Sequence, residues 1–241
     1  MRKSLMTAMA LALVCASASA SMEVLVEGTP APQYHHNGTV YIEALRGRDF
    51  SIRISNPTPY RVAVALSVDG LNTIDARHTS AWSTRKWVLD PWETTVISGW
   101  QVDMGTARRF FFTGERSSYG TALGQTQNLG AIEAVFYRER TRRREMSKMA
   151  PPPPPNAGSS AAPREVEANK GYADDEYAAT GMGDRDRHEV EAVDIDLDPT
   201  PIDTARIRYE FRPQLVKLGV LLEPSPLERR EGARGFCPEP R

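Results

Sequence analysis

Apolar and polar residues alternate at period two through much of the first 140 residues. Phe50, Ile52 and Ile54 alternate with Ser51 and Arg53, and Val62, Val64, Leu66 and Val68 alternate with Arg61, Ala63, Ala65 and Ser67. Successive side chains of a strand point to opposite faces, so this pattern predicts half-buried strands. Further strands are predicted over Glu23–Glu27, Thr39–Leu45, Lys86–Leu89, Thr94–Ser98, Ala107–Thr113 and Gly130–Tyr137. Turn chemistry separates them at Asn37-Gly38, Asn56-Pro57, Asp69-Gly70, Asp90-Pro91 and Ser98-Gly99. Tyr119–Leu123 fits a single helical turn. Short strands with no long helical period between them predict an all-β fold, an antiparallel sandwich-like domain over 21–138.

The pattern changes after Tyr137. Arg138, Arg140, Arg142, Arg143, Arg144 and Lys148 form a basic run, diluted by Glu139 and Glu145, and Pro151–Pro155 follow. The next 30 residues are rich in Ala, Gly, Ser and charge. Such a composition cannot bury enough apolar surface to offset its ordering entropy, so 139–187 is predicted to be a long disordered, basic and proline-rich insertion. Alternation returns with Val190, Val193, Ile195 and Leu197, then Ala205, Ile207, Tyr209 and Phe211, with Pro199-Thr200-Pro201 as a turn between them. This predicts a C-terminal hairpin, followed by a short helix over Gln214–Leu218 that Gly219 stops. Two strands alone are marginal in water. The segment 188–241 is therefore expected to complete the N-terminal sheet, or to pair with another protein.

The N-terminus shifts the functional expectation. Arg2 and Lys3, the apolar run Leu5–Val14 and the small residues Ala18-Ser19-Ala20 have the order of a secretory signal peptide, 1–20. An exported protein of the periplasm or the medium is expected. No second apolar run has the roughly 20 residues that a membrane-spanning helix needs, so no transmembrane anchor is expected. Net charge is −1, and −3 once Arg2 and Lys3 are removed. No strong field of either sign points to nucleic acid. Val14 before Cys15 argues against a lipidated cysteine. Cys237 then stands alone, as a free thiol or as the link of a disulfide-bonded dimer.

All four tryptophans, Trp82, Trp87, Trp92 and Trp100, fall within 19 residues. Indole rings on a strand surface can stack on sugars or anchor a protein partner, and they can equally fill a core. Trp82, Trp87 and Trp92 are the candidate ligand-binding residues, and polar neighbours such as Ser80, Ser83 and Thr84 leave room for a platform at Trp82 and Trp87. Asp69, Asn72 and Asp75 do not match a calcium loop, and Asp69-Gly70 reads more simply as a hairpin turn. Asp194, Asp196 and Asp198 are expected on the wet face of a strand. His35, His36, His78 and His188 show no metal-ligand spacing. Gly181-Met182-Gly183 lacks the third glycine and the preceding strand of a dinucleotide site, and no Gly-x-Ser-x-Gly elbow is present. No cofactor, metal or catalytic residue is assigned.

Ser67-Val68-Asp69-Gly70-Leu71-Asn72, Gly99-Trp100, Ser118-Tyr119 with Gly124, Asn128-Leu129-Gly130-Ala131-Ile132, Arg208-Tyr209-Glu210-Phe211 and Leu218-Gly219-Val220 together resemble an uncharacterised family of exported bacterial proteins. The resemblance implies a shared fold and export, and carries no activity. The sequence differs from that family between Trp82 and Trp92, where a glycine-tyrosine strand is expected instead. The functional expectation is a non-enzymatic envelope module that binds a protein or a glycan. The alternatives are a hydrolase using Asp69 or Asp75 with His78, and a structural role in envelope assembly.

Overall fold

The computed structural model describes residues 20–140 and 176–223. Residues 1–19 of the expected signal peptide, residues 141–175 of the expected insertion with most of the basic run and the prolines 151–155, and Cys237 lie outside them. The described chain forms fourteen strands, two short α-helices and a 3-10 turn at Glu115–Ser117: β1 Ser21–Val26, β2 Thr29–Pro30, β3 Gln33–His36, β4 Thr39–Glu43, β5 Asp49–Ser55, β6 Val62–Val68, β7 Leu71–Asn72, β8 Trp87–Leu89, β9 Thr94–Ile97, β10 Gly99–Gln101, β11 Thr106–Gly114, α1 Tyr119–Ala122, β12 Ala131–Glu139, β13 Ala178–Arg187, β14 Leu197–Glu210 and α2 Arg212–Lys217.

These strands make two sheets packed face to face. The first runs β10-β11-β5-β1-β2, with β13 along β11 and β9 along β5, all antiparallel. The second runs β3-β4-β14-β12-β6-β7, with β8 along β6. It is mixed, because β14 lies parallel to β4 through Ile207↔Val40 and Tyr209↔Ile42. The period-two residues meet between the sheets. Phe50, Ile52, Ile54, Phe110 and Phe112 from the first pack against Val64, Leu66, Ile132, Phe136 and Tyr209 from the second. Phe50 stacks on Phe112 at 4.3 Å between ring centroids. Trp100 is buried, meets Phe110 and Tyr119 at 5.1 and 5.0 Å, and donates its indole N–H to the Gly181 carbonyl.

Four expectations need correction. Residues 178–187, placed in the disordered insertion, form the ten-residue strand β13, which pairs with the whole of β11. Its small residues are what admit its neighbours: a Cβ on Gly181 would stand 2.2 Å from Cζ of Phe111. A scan for aliphatic residues misses a strand whose apolar cover comes from the aromatic residues of another strand. The predicted C-terminal hairpin is instead one strand of 14 residues, β14. Residues 188–196 cross between the sheets, tied by Val190 N–H to Met104 O and by Arg140 N–H to Asp196 O. Pro199 and Pro201, read as a turn, lie in β14 where only β12 flanks it and the register shifts, a place where a missing N–H is tolerated. Ser98-Gly99 is no hairpin turn; here the chain leaves β5 and joins β11.

Candidate functional site

Asp69 and Gly70 both have positive φ, 53° and 76°, and make the two-residue turn joining β6 to β7, the geometry that Asp-Gly favours. The turn aims the Asp69 carboxylate inward, where it is buried. Oδ1 accepts from Gly130 N–H at 2.9 Å and from the Tyr209 hydroxyl, and Oδ2 accepts from Thr180 N–H at 2.7 Å. The Thr180 hydroxyl donates to the Tyr209 oxygen at 2.6 Å. Burial pushes the Asp69 carboxyl up to about 6, although each of these donors favours the ionised form. Burial, and then the Asp69 charge, holds the Tyr209 phenol well above its usual range, so it stays a donor. Close by, Ala178 N–H donates to Glu210 at 3.2 Å. Two carboxylates anchored on the second sheet thus take amides of β13, a strand of the first sheet.

In front of this buried network, on the outer face of the second sheet, is a groove of about 230 Å³. Its floor is Ala65 and Ser67 of β6, Ala131, Glu133 and Val135 of β12, and Arg206 of β14; its walls include Gly70, Arg77, His78, Thr84 and Asn128. Three features shape the wall formed by residues 73–86. Asn72 binds Arg85 O with its amide N–H and receives Ile74 N–H on its carbonyl oxygen. Trp87 donates its indole N–H to Thr73 Oγ1 at 2.9 Å. Lys86 Nζ donates to the carbonyls of Trp82 and Thr84 at 2.6 and 2.9 Å, and lies 5.3 and 5.2 Å from the rings of Trp82 and Tyr137. Burial holds the Lys86 amine below its usual range. The loop is therefore pinned to the sheet without a ligand.

The polar groups of the groove differ in how far they are engaged. His78 Nδ1 is 2.8 Å from Gly70 O. A carbonyl only accepts, so Nδ1 carries the proton of this bond. Thr84 Oγ1 is buried with no hydrogen-bond partner among the described residues. Within the same limit, Ser67, Arg77, Glu133 and Arg206 make no side-chain hydrogen bond or ion pair.

The three candidate tryptophans do not share one surface. Trp82 is 45% exposed and packs edge-on against Tyr137 at 5.4 Å on the outer face, beside the groove. Trp87 packs against the central core and touches His188 at 5.5 Å. Trp92 is 67% exposed, at φ 63° in the turn between β8 and β9. Asp75 pairs loosely with Arg85, at 3.9 Å. Asp194 and Asp196 lie in the crossover rather than on a strand, and Asp198, near the start of β14, accepts the N–H of Thr200. No three metal-ligating side chains gather among the described residues. Sequence reasoning missed Ser67, Thr84, Glu133 and Arg206. The outward members of the alternating strands were the available signal, and only strand register shows that they are neighbours. No protein-family model, no curated protein and no solved structure matches this chain.

Proposed function

We propose that this protein is an exported, non-enzymatic interaction module of the bacterial envelope, and that it meets its ligand on the outer face of the second sheet. The observation that carries this reading is the preformed groove, whose charged groups Arg77, Glu133 and Arg206 are unengaged among the described residues, beside a loop pinned by Lys86. Sites of this kind combine a rigid scaffold with a few convergent polar groups. The exposed Trp82 ring beside the groove adds an aromatic contact surface.

A hydrolase built on Asp69 and His78 has less support, because both carboxylate oxygens of Asp69 are taken by interior donors. The test is photo-crosslinking in cells, with the photoreactive residue at Thr79 on the groove wall or at Ser51 on the first sheet. Reproducible capture of one envelope protein or cell-wall fragment from Thr79 and not from Ser51 is expected. Equal capture from both positions, or capture from neither, would overturn the reading.

A further inference from the structure

We infer that the groove takes a small zwitterion, an amino acid or the end of a short peptide carrying both a free carboxylate and a free ammonium group. The inference rests on the groove being the contact surface. Ser67, Glu133 and Arg206 stand in one row across β6, β12 and β14, as the registers Glu133↔Ser67 and Glu133↔Arg206 show. Opposite charges directly across two strands are within reach of one another and ordinarily pair. They do so on the other sheet: Glu23 and Arg53 occupy the same kind of register and close to 2.8 Å. Glu133 and Arg206 face each other in register and do not close, and both line the groove.

The groove therefore holds a separated anion and cation, with a second guanidinium, Arg77, in its wall. Guanidinium groups take a carboxylate through paired N–H bonds. Glu133 takes an ammonium group, and the same Glu133 repels a ligand that is purely anionic. Asn128 and Nε2 of His78 offer further hydrogen bonds to the atoms in between. Size agrees with this. A volume of about 230 Å³ lies below the roughly 300–1,000 Å³ of sites for drug-sized ligands.

The test titrates the full, processed chain with triglycine, N-acetyl-triglycine, triglycinamide and inorganic phosphate, following backbone amides by NMR. Triglycine is expected to shift Ser67, Thr84 and Glu133, and capping either end should weaken it by about tenfold, the scale of one lost charge-assisted bond. Glu133→Gln should remove the penalty for acetylation, and Arg206→Gln the penalty for amidation. Neither should move the melting temperature, since Arg206 is exposed and Glu133 only half-buried. Equal affinity for the three peptides, phosphate binding as tightly as triglycine, or no binding by any peptide would overturn the inference. Crosslinking from Thr79 that persists after such a result would leave the interaction module standing and remove only its zwitterionic ligand.

Discussion

Asp69 does two jobs that its position in the sequence suggests only in part. Its backbone forms a hairpin turn, and its carboxylate ties together the loop at Gly130, strand β13 and strand β14. Replacement by Asn puts an amide donor against one of three donors. Leaving a buried donor unmatched costs about 1–3 kcal/mol, but Asn also removes a carboxylate whose charge burial disfavours above about pH 6, so Asp69→Asn should change stability little in urea unfolding at pH 7.5 and lower it at pH 4.5. The same carboxylate makes stability depend on pH. Its folded pKa, about 6, lies above the ordinary 3.8, so the folded state binds the proton first. Stability should rise as pH falls through 6 and level off below the ordinary carboxylate range. The shift corresponds to about 3 kcal/mol. Glu210, raised by burial, acts in the same direction, whereas His188, lowered by burial, opposes it as pH falls. The difference in melting temperature between the native chain and Asp69→Asn, measured from pH 7.5 to 4.5, isolates the Asp69 part. Equal slopes for the two proteins would contradict it.

At the scale of elements, β13 shows how strand formation depends on what lies alongside. Ala178, Ala179, Thr180 and Gly181 offer little apolar area of their own. They are buried because β11 supplies the ladder and Phe111 and Trp100 supply the cover. Its outward amides at 178 and 180 are taken by Glu210 and Asp69, which shields part of a sheet edge that would otherwise be free to pair. Amide hydrogen exchange gives a direct check. Thr180 and Gly181 should exchange slowly, and Glu191–Asp194 quickly. Fast exchange throughout 178–187 would restore the reading of this stretch as part of a disordered insertion. The converse error occurred at Val190, Val193 and Ile195, where apolar spacing suggested a strand. That stretch spans the gap between two sheets and forms no ladder with the described residues.

For the molecule as a whole, residues 176–223 belong to both sheets: β13 lies along β11 in one and β14 lies between β4 and β12 in the other. The two parts of the chain are therefore interleaved. Cleavage at a protease site engineered between residues 141 and 175 should leave two fragments that co-elute as one folded particle in size-exclusion chromatography and separate only in denaturant. Fragments that part without denaturant would contradict this interleaving. The groove belongs to the same assembly, because Arg206 comes from one part while Ser67 and Glu133 come from the other.

By itself the sequence determined the fold class, most strands of the first part, the Asp-Gly turn and the two short helices. Those features follow from local rules: period-two alternation, turn chemistry, and a glycine that stops a helix. Only the tertiary structure decided that Asp69 is an interior link and that Trp82, Trp87 and Trp92 point to separate places. It also decided that a glycine-rich stretch is a strand and that Ser67, Glu133 and Arg206 share one groove. These depend on register and on contacts between residues as far apart as 69 and 209. A local pattern fixes which face of a strand a side chain takes, and pairing between strands fixes which side chains become its neighbours.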